Sequence, residues 1–288
     1  MTILQSAENR QANGEEIQTD LVSKRQDNDN TSEKQAVDGE NQASSTQQTN
    51  ATSFVRSGVK EEIAKQVVRK KLAKLRHLIL EKAISPEYLD SLFPPLLQLF
   101  HPQPVVYNGG IANVRNWKIS CYLEVMDGGV PTTDPNVELL ELFHPLLDQC
   151  DDLFLYWFRQ KRSCNTGSVK DKEIKCRRLM TFITRYTPAP GEQALLKHVD
   201  GSGKVDGSVV VALPIDRWSA PESENSFVGH GGGLTFWDGR NRETGKPNEI
   251  HYETRSGDIA FIDRAVWHQA DPITKGTRWA LVIFYKVY

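Results

Sequence analysis

The spacing of hydrophobic positions changes several times along this chain. Over residues 1–54 only scattered aliphatics interrupt Gln, Asn, Ser, Thr, Asp and Glu, as in ASSTQQTNATS. Such a segment cannot bury enough apolar surface to offset the entropy of ordering it, which predicts a disordered polar tail. From Val59 to Ala83 apolar residues recur at helical spacing, at Ile63, Val67, Leu75, Leu78 and Ile79, and predict a helix. SPEYLDSLFPPLLQLF predicts a short helix capped by Ser85, with Pro86 in its first turn and a stop at Pro94 and Pro95. A strand is expected around WKISCYLEV. NVELLELFHPLLDQCDDLFLYWFRQK reads as helical with a break at His144-Pro145, Leu139, Leu140, Leu142 and Phe143 lying before it and Leu153, Phe154, Trp157 and Phe158 after.

After Lys175 the pattern becomes short β-rich runs, RRLMTFITRY, SVVVALPI, GGGLTFW, EIHYETR, DIAFID and RWALVIFYKVY, separated by Gly-, Pro- and Asp-rich turns. With the strands expected around His198 and His268 they make about eight, the number of a double-sheet jelly roll. The predicted class is α+β: a double-stranded β-helix (jelly roll) with N-terminal helices packed on one sheet. The expected organisation is a tail over 1–54, a mainly helical support region over 55–174 and the jelly roll over 175–288.

Composition narrows the function classes. The 288 residues are 39% hydrophobic and 25% charged with a net charge of −2, a balance that calls for neither a nucleic acid nor a membrane. The start, MTILQSAENRQ, has no basic stretch followed by an apolar one, and no apolar run reaches the roughly 18 residues of a spanning helix. A cytoplasmic or nuclear protein is expected. Cys121, Cys150, Cys164 and Cys176 lack C-x-x-C spacing and are read as free thiols. Lys60, Lys65, Arg69, Lys70, Lys71, Lys74 and Arg76 are read as a solvated helix face, because no aromatic residue interleaves with them.

The candidate chemistry begins in LLKHVDGSG. His198 and Asp200 are two apart on what reads as a strand rim, so their side chains point to one side. A third ligand is available downstream in His268. Two histidines and one carboxylate on one face of an ion form the triad that suits non-haem Fe(II) and leaves positions open. Arg278 opens the last strand, and its planar fork can grip a carboxylate through two hydrogen bonds. A zinc hydrolase on a cupin-like barrel can use the same three ligands but gives Arg278 no task. His144 in its apolar setting is read as a core residue, His230 as a solvated loop residue and His251 as a strand-packing residue. Trp237, Trp267 and Trp279 are read as core.

The residues His198-x-Asp200, His268 and Arg278, together with RYTPAPGEQALLKHVD, GGGLTFW and SGDIAFID, resemble the Fe(II)/2-oxoglutarate-dependent dioxygenase superfamily. The likeness is nearest to the prolyl 4-hydroxylase-like catalytic domain and covers about residues 178–286. It implies a hydroxylase in which His198, Asp200 and His268 hold Fe(II). The cosubstrate 2-oxoglutarate would chelate that metal, with Arg278 on its distal carboxylate and Tyr186 adding a hydrogen bond. O2 would be consumed, succinate and CO2 released, and ascorbate (vitamin C) would support activity. The substrate implied is a prolyl residue of a peptide, or another organic C–H in a small metabolite, with collagen unsuited to a chain without a leader. Loops 216–231 and 238–249 would rim the mouth and set that choice. The alternative from a different class is a non-catalytic jelly-roll binding module for a peptide or polymer.

Overall fold

The computed structural model describes residues 54–72, 75–101, 106–107, 110–111, 118–127, 130–131, 134–166, 174–188, 197–200, 204–214, 232–241, 243–274 and 276–288. The chain divides into two units, Met1–Asn50 and Ala51–Tyr288, and all described residues belong to the second. The expected tail up to residue 53, loop 216–231 with His230, and the Cys164 side chain lie outside the described residues.

Fifteen elements follow in order among the described residues: helix α1 (Val59–Leu72), β1 (His77–Leu80), α2 (Pro86–Leu99), β2 (Val106–Tyr107), β3 (Gly110–Ile111), β4 (Lys118–Asp127), β5 (Val130–Pro131), α3 (Val137–Thr166), β6 (Cys176–Tyr186), β7 (Gly207–Ala212), β8 (Leu234–Asp238), β9 (Asn248–Tyr252), β10 (Ile259–Asp263), β11 (Trp267–Ala270) and β12 (Arg278–Val287). Seven strands form a major sheet in the order β1-β10-β7-β12-β6-β4-β5, and three form a minor sheet in the order β11-β8-β9. Their pairings are antiparallel. No described helix is long and apolar enough to cross a membrane.

Period-two alternation assigns the two faces of the major sheet. On β12, Trp279, Leu281, Ile283 and Tyr285 join one hydrophobic core with Ile259 and Phe261 of β10 and with residues of all three helices. The alternate residues, Ala260 and Ile262 of β10, join a second core with Leu234 and Phe236 of the minor sheet. The space between the sheets therefore opens on the face of β12 that carries Arg278, Ala280, Val282 and Phe284.

Three helix readings need correction. Neither Pro94-Pro95 nor Pro145 ends its helix, for α2 runs to Leu99 and α3 is continuous to Thr166. An interior proline costs roughly 3 kcal/mol. Each well-buried Leu or Phe returns about 1.5–3 kcal/mol, and α3 buries Leu139, Phe143, Leu146, Leu147, Leu153, Phe154 and Trp157 in the helix-side core. The start signal at Ser85 holds, its hydroxyl accepting from the Tyr88 amide at 3.2 Å, and α3 is capped in the same way by Asn136 Oδ1, which accepts from the Leu139 amide at 3.0 Å. The helix expected to run to Ala83 instead ends at Leu72, and His77–Leu80 become β1, paired with Ile259–Ile262 of β10. The cause is a tertiary anchor: the buried Asp238 carboxylate accepts from the backbone N–H groups of Arg76 and His77, at 2.5 and 3.1 Å.

Strands β1 and β4 come from upstream of the expected division at 174/175 and continue the sheet beyond β10 and β6. A polar strut fastens α3 to this sheet. Arg178 of β6 donates to both carboxylate oxygens of Glu124, at 2.8 and 3.2 Å, and to Asp151 of α3 at 2.9 Å, while the Tyr285 hydroxyl donates to Asp151 at 2.8 Å.

Candidate metal centre

Backbone hydrogen bonds place two of the candidate ligands. His198 and His268 form an isolated antiparallel bridge, each amide donating to the other's carbonyl at 2.9 Å. Residues directly opposite in such a rung carry side chains on the same face. The two imidazole centroids lie 4.5 Å apart. His198 sits on this single rung and not on the strand expected for it. Asp200, two residues further on, brings Oδ1 to 3.5 Å from His198 Nε2 and 3.6 Å from His268 Nε2. One ligand atom from each of the three lies within 4.8 Å of the others.

The surroundings prepare these atoms for a cation. His268 Nδ1–H donates to the Val266 carbonyl at 3.1 Å, which leaves the Nε2 lone pair facing Asp200. Burial pushes the His268 imidazole down, against the opposing pull of Asp200, and so favours the neutral form that ligates metals. The Ser208 hydroxyl donates to Asp200 Oδ2 at 2.5 Å and leaves Oδ1 for the gap between the rings. Burial works against the Asp200 charge, but His198, His268 and the Ser208 hydrogen bond together hold the carboxyl below its usual range. Phe236, stacked at 4.3 Å on the buried His77 ring, lies 6.4 Å from the His268 ring and backs it.

The same cavity, of about 100 Å³, is lined by the triad, by Tyr186 and Arg278, and by apolar residues including Phe182, Val282 and Phe284. Tyr186 and Arg278 are cross-strand partners on β6 and β12, with the guanidinium carbon 5.4 Å from the ring centroid. Arg278 is 2% exposed, and its Nε and Nη1 have no hydrogen-bond partner among the described residues. An unsatisfied buried cation is costly. A carboxylate entering the cavity would remove that cost, so the residues present fit a metal together with a carboxylate ligand.

Several other residues, Trp279 excepted, fall where the sequence did not put them. His144 is exposed, not core, and pairs with Asp148 at 3.2 Å. His251 is also largely exposed and pairs with Asp271 at 2.8 Å. Trp279 is core, edge-on to Phe93 and Phe100, whereas Trp267 is 48% exposed and Trp237 is half-buried under the Lys197 ammonium. The cavity also contains Lys118 of β4, which the sequence reading passed over. Its signal was the alternation in KISCYLEV, which gives Lys118 and Ser120 one face and Ile119 and Cys121 the other.

No protein-family model matches this chain, and no curated protein matches it. Among solved structures, an oxidoreductase of the 2OG-Fe(II) oxygenase family from Burkholderia pseudomallei superimposes at a TM-score of 0.50 with 15% identity, over 81% of this chain and 92% of its own. The chain has the fold of that oxygenase. Two further structures lie at TM-scores of 0.49 and 0.48. One is the non-heme alpha ketoglutarate dependent epimerase SnoN from nogalamycin biosynthesis, 12% identical over 78% of this chain and 80% of its own. The other is a prolyl-4-hydroxylase from Pseudomonas putida, 16% identical over 78% and 98%. The mostly antiparallel sheets with a few helices, and the match to the Burkholderia oxygenase, fit a jelly-roll fold.

Proposed function

We propose that this chain is an Fe(II)- and 2-oxoglutarate-dependent dioxygenase that hydroxylates a C–H of an organic substrate. The observation that carries this reading is one cavity holding both the His198, Asp200 and His268 donors and the buried Arg278 fork. When bound, Fe(II) and 2-oxoglutarate supply the oxidation: O2, 2-oxoglutarate and R–H give R–OH, succinate and CO2. The protein's own residues bind and orient. His198, Asp200 and His268 would hold the metal through Nε2, Oδ1 and Nε2, with the Val266 carbonyl and Ser208 fixing His268 and Asp200. Arg278 would grip the distal carboxylate of the cosubstrate, and Tyr186 would lie against it. Phe182, Val282 and Phe284 keep the cavity walls apolar and limit water there. The substrate we favour is a prolyl residue of a peptide in the cytosol or nucleus. The support is the sequence resemblance to prolyl 4-hydroxylase-like domains and the low ordering cost of a proline-containing peptide.

The test is succinate formation from 2-oxoglutarate with Fe(II), ascorbate and O2, run beside metal analysis of the wild type and of Asp200→Ala and His268→Ala. We expect both variants to fold, lose iron and lose turnover. Iron retained at wild-type affinity in both would remove the ligand assignment. A proline-containing peptide library screened against a panel of metabolites assigns the substrate class: a gain of one oxygen by metabolites alone rejects the prolyl reading.

A further inference from the structure

Lys118, Tyr186 and Arg278 occupy one row across three neighbouring strands. Lys118 of β4 is the register partner of Tyr186 on β6, and Tyr186 is the register partner of Arg278 on β12. Residues in such a row project to the same side of a sheet. The faces agree, for Ile119 and Trp279, the next residues along, pack in the helix-side core. The Lys118 ammonium lies 5.9 Å from the Tyr186 ring centroid and the Arg278 guanidinium carbon 5.4 Å from it, so one ring is the common neighbour of both cations. Both line the cavity of the candidate metal centre. Among the described residues that line it, Asp200 is the acid, and its oxygens are engaged by Ser208 and face the two imidazoles. Lys118 has no acidic partner among the described residues, and two Arg278 nitrogens are unpartnered.

We infer that Lys118 is a second anchor for the distal carboxylate of the cosubstrate, closing on it from across the Tyr186 ring while Arg278 holds it from β12. The inference rests on the dioxygenase reading. It follows from acceptor capacity: a carboxylate has two oxygens and about four lone-pair sites, enough for an arginine fork and an ammonium together. The division of labour follows from the side chains. Arg278 is fixed by burial and its planar fork sets direction, whereas Lys118 is half-buried on a flexible stem and can follow the ligand in. A pair of cations at one end of the cavity makes the site selective for a dicarboxylic 2-oxo acid over a monocarboxylic one.

The experiment is calorimetric titration, without O2, of the full chain loaded with Mn(II), using 2-oxoglutarate and 2-oxopentanoate. The second acid has the same carbon chain with a methyl group in place of the distal carboxylate. We expect Lys118→Met to weaken 2-oxoglutarate binding by about tenfold, Lys118→Arg to restore most of it, and neither change to alter 2-oxopentanoate. Unchanged 2-oxoglutarate affinity in Lys118→Met, while Arg278→Met weakens it, overturns the assignment. Equal losses for both acids also overturn it, because Lys118 would then act on the fold or the metal and not on the carboxylate. If metal-loaded wild type fails to bind 2-oxoglutarate, the dioxygenase reading itself falls and takes the inference with it. That failure appears in the parent protein, whereas failure of the Lys118 role appears only in its variants.

Discussion

Replacing Asp238 with alanine should unlatch the far edge of the major sheet. Its carboxylate is buried at the end of β8 and reaches across to β1, accepting from the Arg76 and His77 amides, from His77 Nδ1–H at 2.8 Å and from the Gly239 amide at 2.8 Å. Burial lowers the His77 pKa, so the ring is neutral and accepts from the Lys70 ammonium at 3.4 Å on its other nitrogen. In Asp238→Ala the Arg76 and His77 amides and the imidazole lose a charged acceptor in a buried place, which costs about 3–5 kcal/mol. For a unit of this size that is a fall in melting temperature of roughly 10 °C. The pH dependence gives an independent check. Burial disfavours the Asp238 charge, but its hydrogen bonds outweigh it and hold the carboxyl at about 2, against an ordinary 3.8. A pKa depressed in the folded state stabilises above the unfolded value and is lost as pH falls through the folded one, here about 2 kcal/mol between about pH 4 and 2. Asparagine cannot titrate, so the stability gap between wild type and Asp238→Asn should shrink across that window. Thermal and urea unfolding at pH 7, 5, 4 and 3 measure both effects. An alanine variant melting within about 2 °C of wild type, or a gap that does not narrow on acidification, refutes the latch.

Three further outcomes are expected. Without cosubstrate, Arg278→Met should leave the melting temperature unchanged or raise it, since a buried guanidinium with two unpartnered nitrogens is removed, while 2-oxoglutarate affinity falls by about 2–5 kcal/mol; differential scanning fluorimetry with and without the ligand reads both, and a large destabilisation of the ligand-free variant contradicts this reading. Gly257→Ala should cost about 2 kcal/mol or more, because Gly257 has φ +89° and a Cβ there would sit 2.6 Å from the Ile84 carbonyl oxygen; a neutral urea midpoint would show that the turn can yield. Deleting residues 1–50 should change neither turnover nor melting temperature, given the polar composition of that segment; a fall of several degrees would show a docked segment.

The β-rich half was legible because two-residue alternation and turn residues are local signals. RWALVIFYKVY and DIAFID announce β12 and β10, and the alternation even separates Arg278 from Trp279. The triad was legible because His198 and Asp200 are sequence neighbours and Arg278 closely follows His268. What escaped the sequence was decided by distant partners. HLIL satisfies helical and strand spacing alike, and only Asp238 and β10, far along the chain, settle it as β1. Pro145 is a strong local stop, yet a long buried stripe on α3 overrides it, a sum that no single residue displays. Lys118 is an ordinary strand lysine until β4 is known to lie beside β6. Ser208 likewise acquires its task from Asp200, through a fold that folds the chain back on itself.

Strand β1 pairs with β10, and His77 finds Asp238 and Ile262 only after most of the chain has been made. On a ribosome elongating at about 5–20 residues per second, on the order of tens of seconds separate the two strands. Throughout that interval HLIL is an apolar segment without its partner, the kind of sequence that recruits other nascent chains. The lysines and arginines between Lys60 and Arg76, directly before it, would oppose such pairing by charge repulsion, as charges flanking an apolar strand do. In the folded chain some of the same charges find partners, Lys60 pairing with Asp152 at 2.7 Å and Lys70 donating to the His77 ring at 3.4 Å.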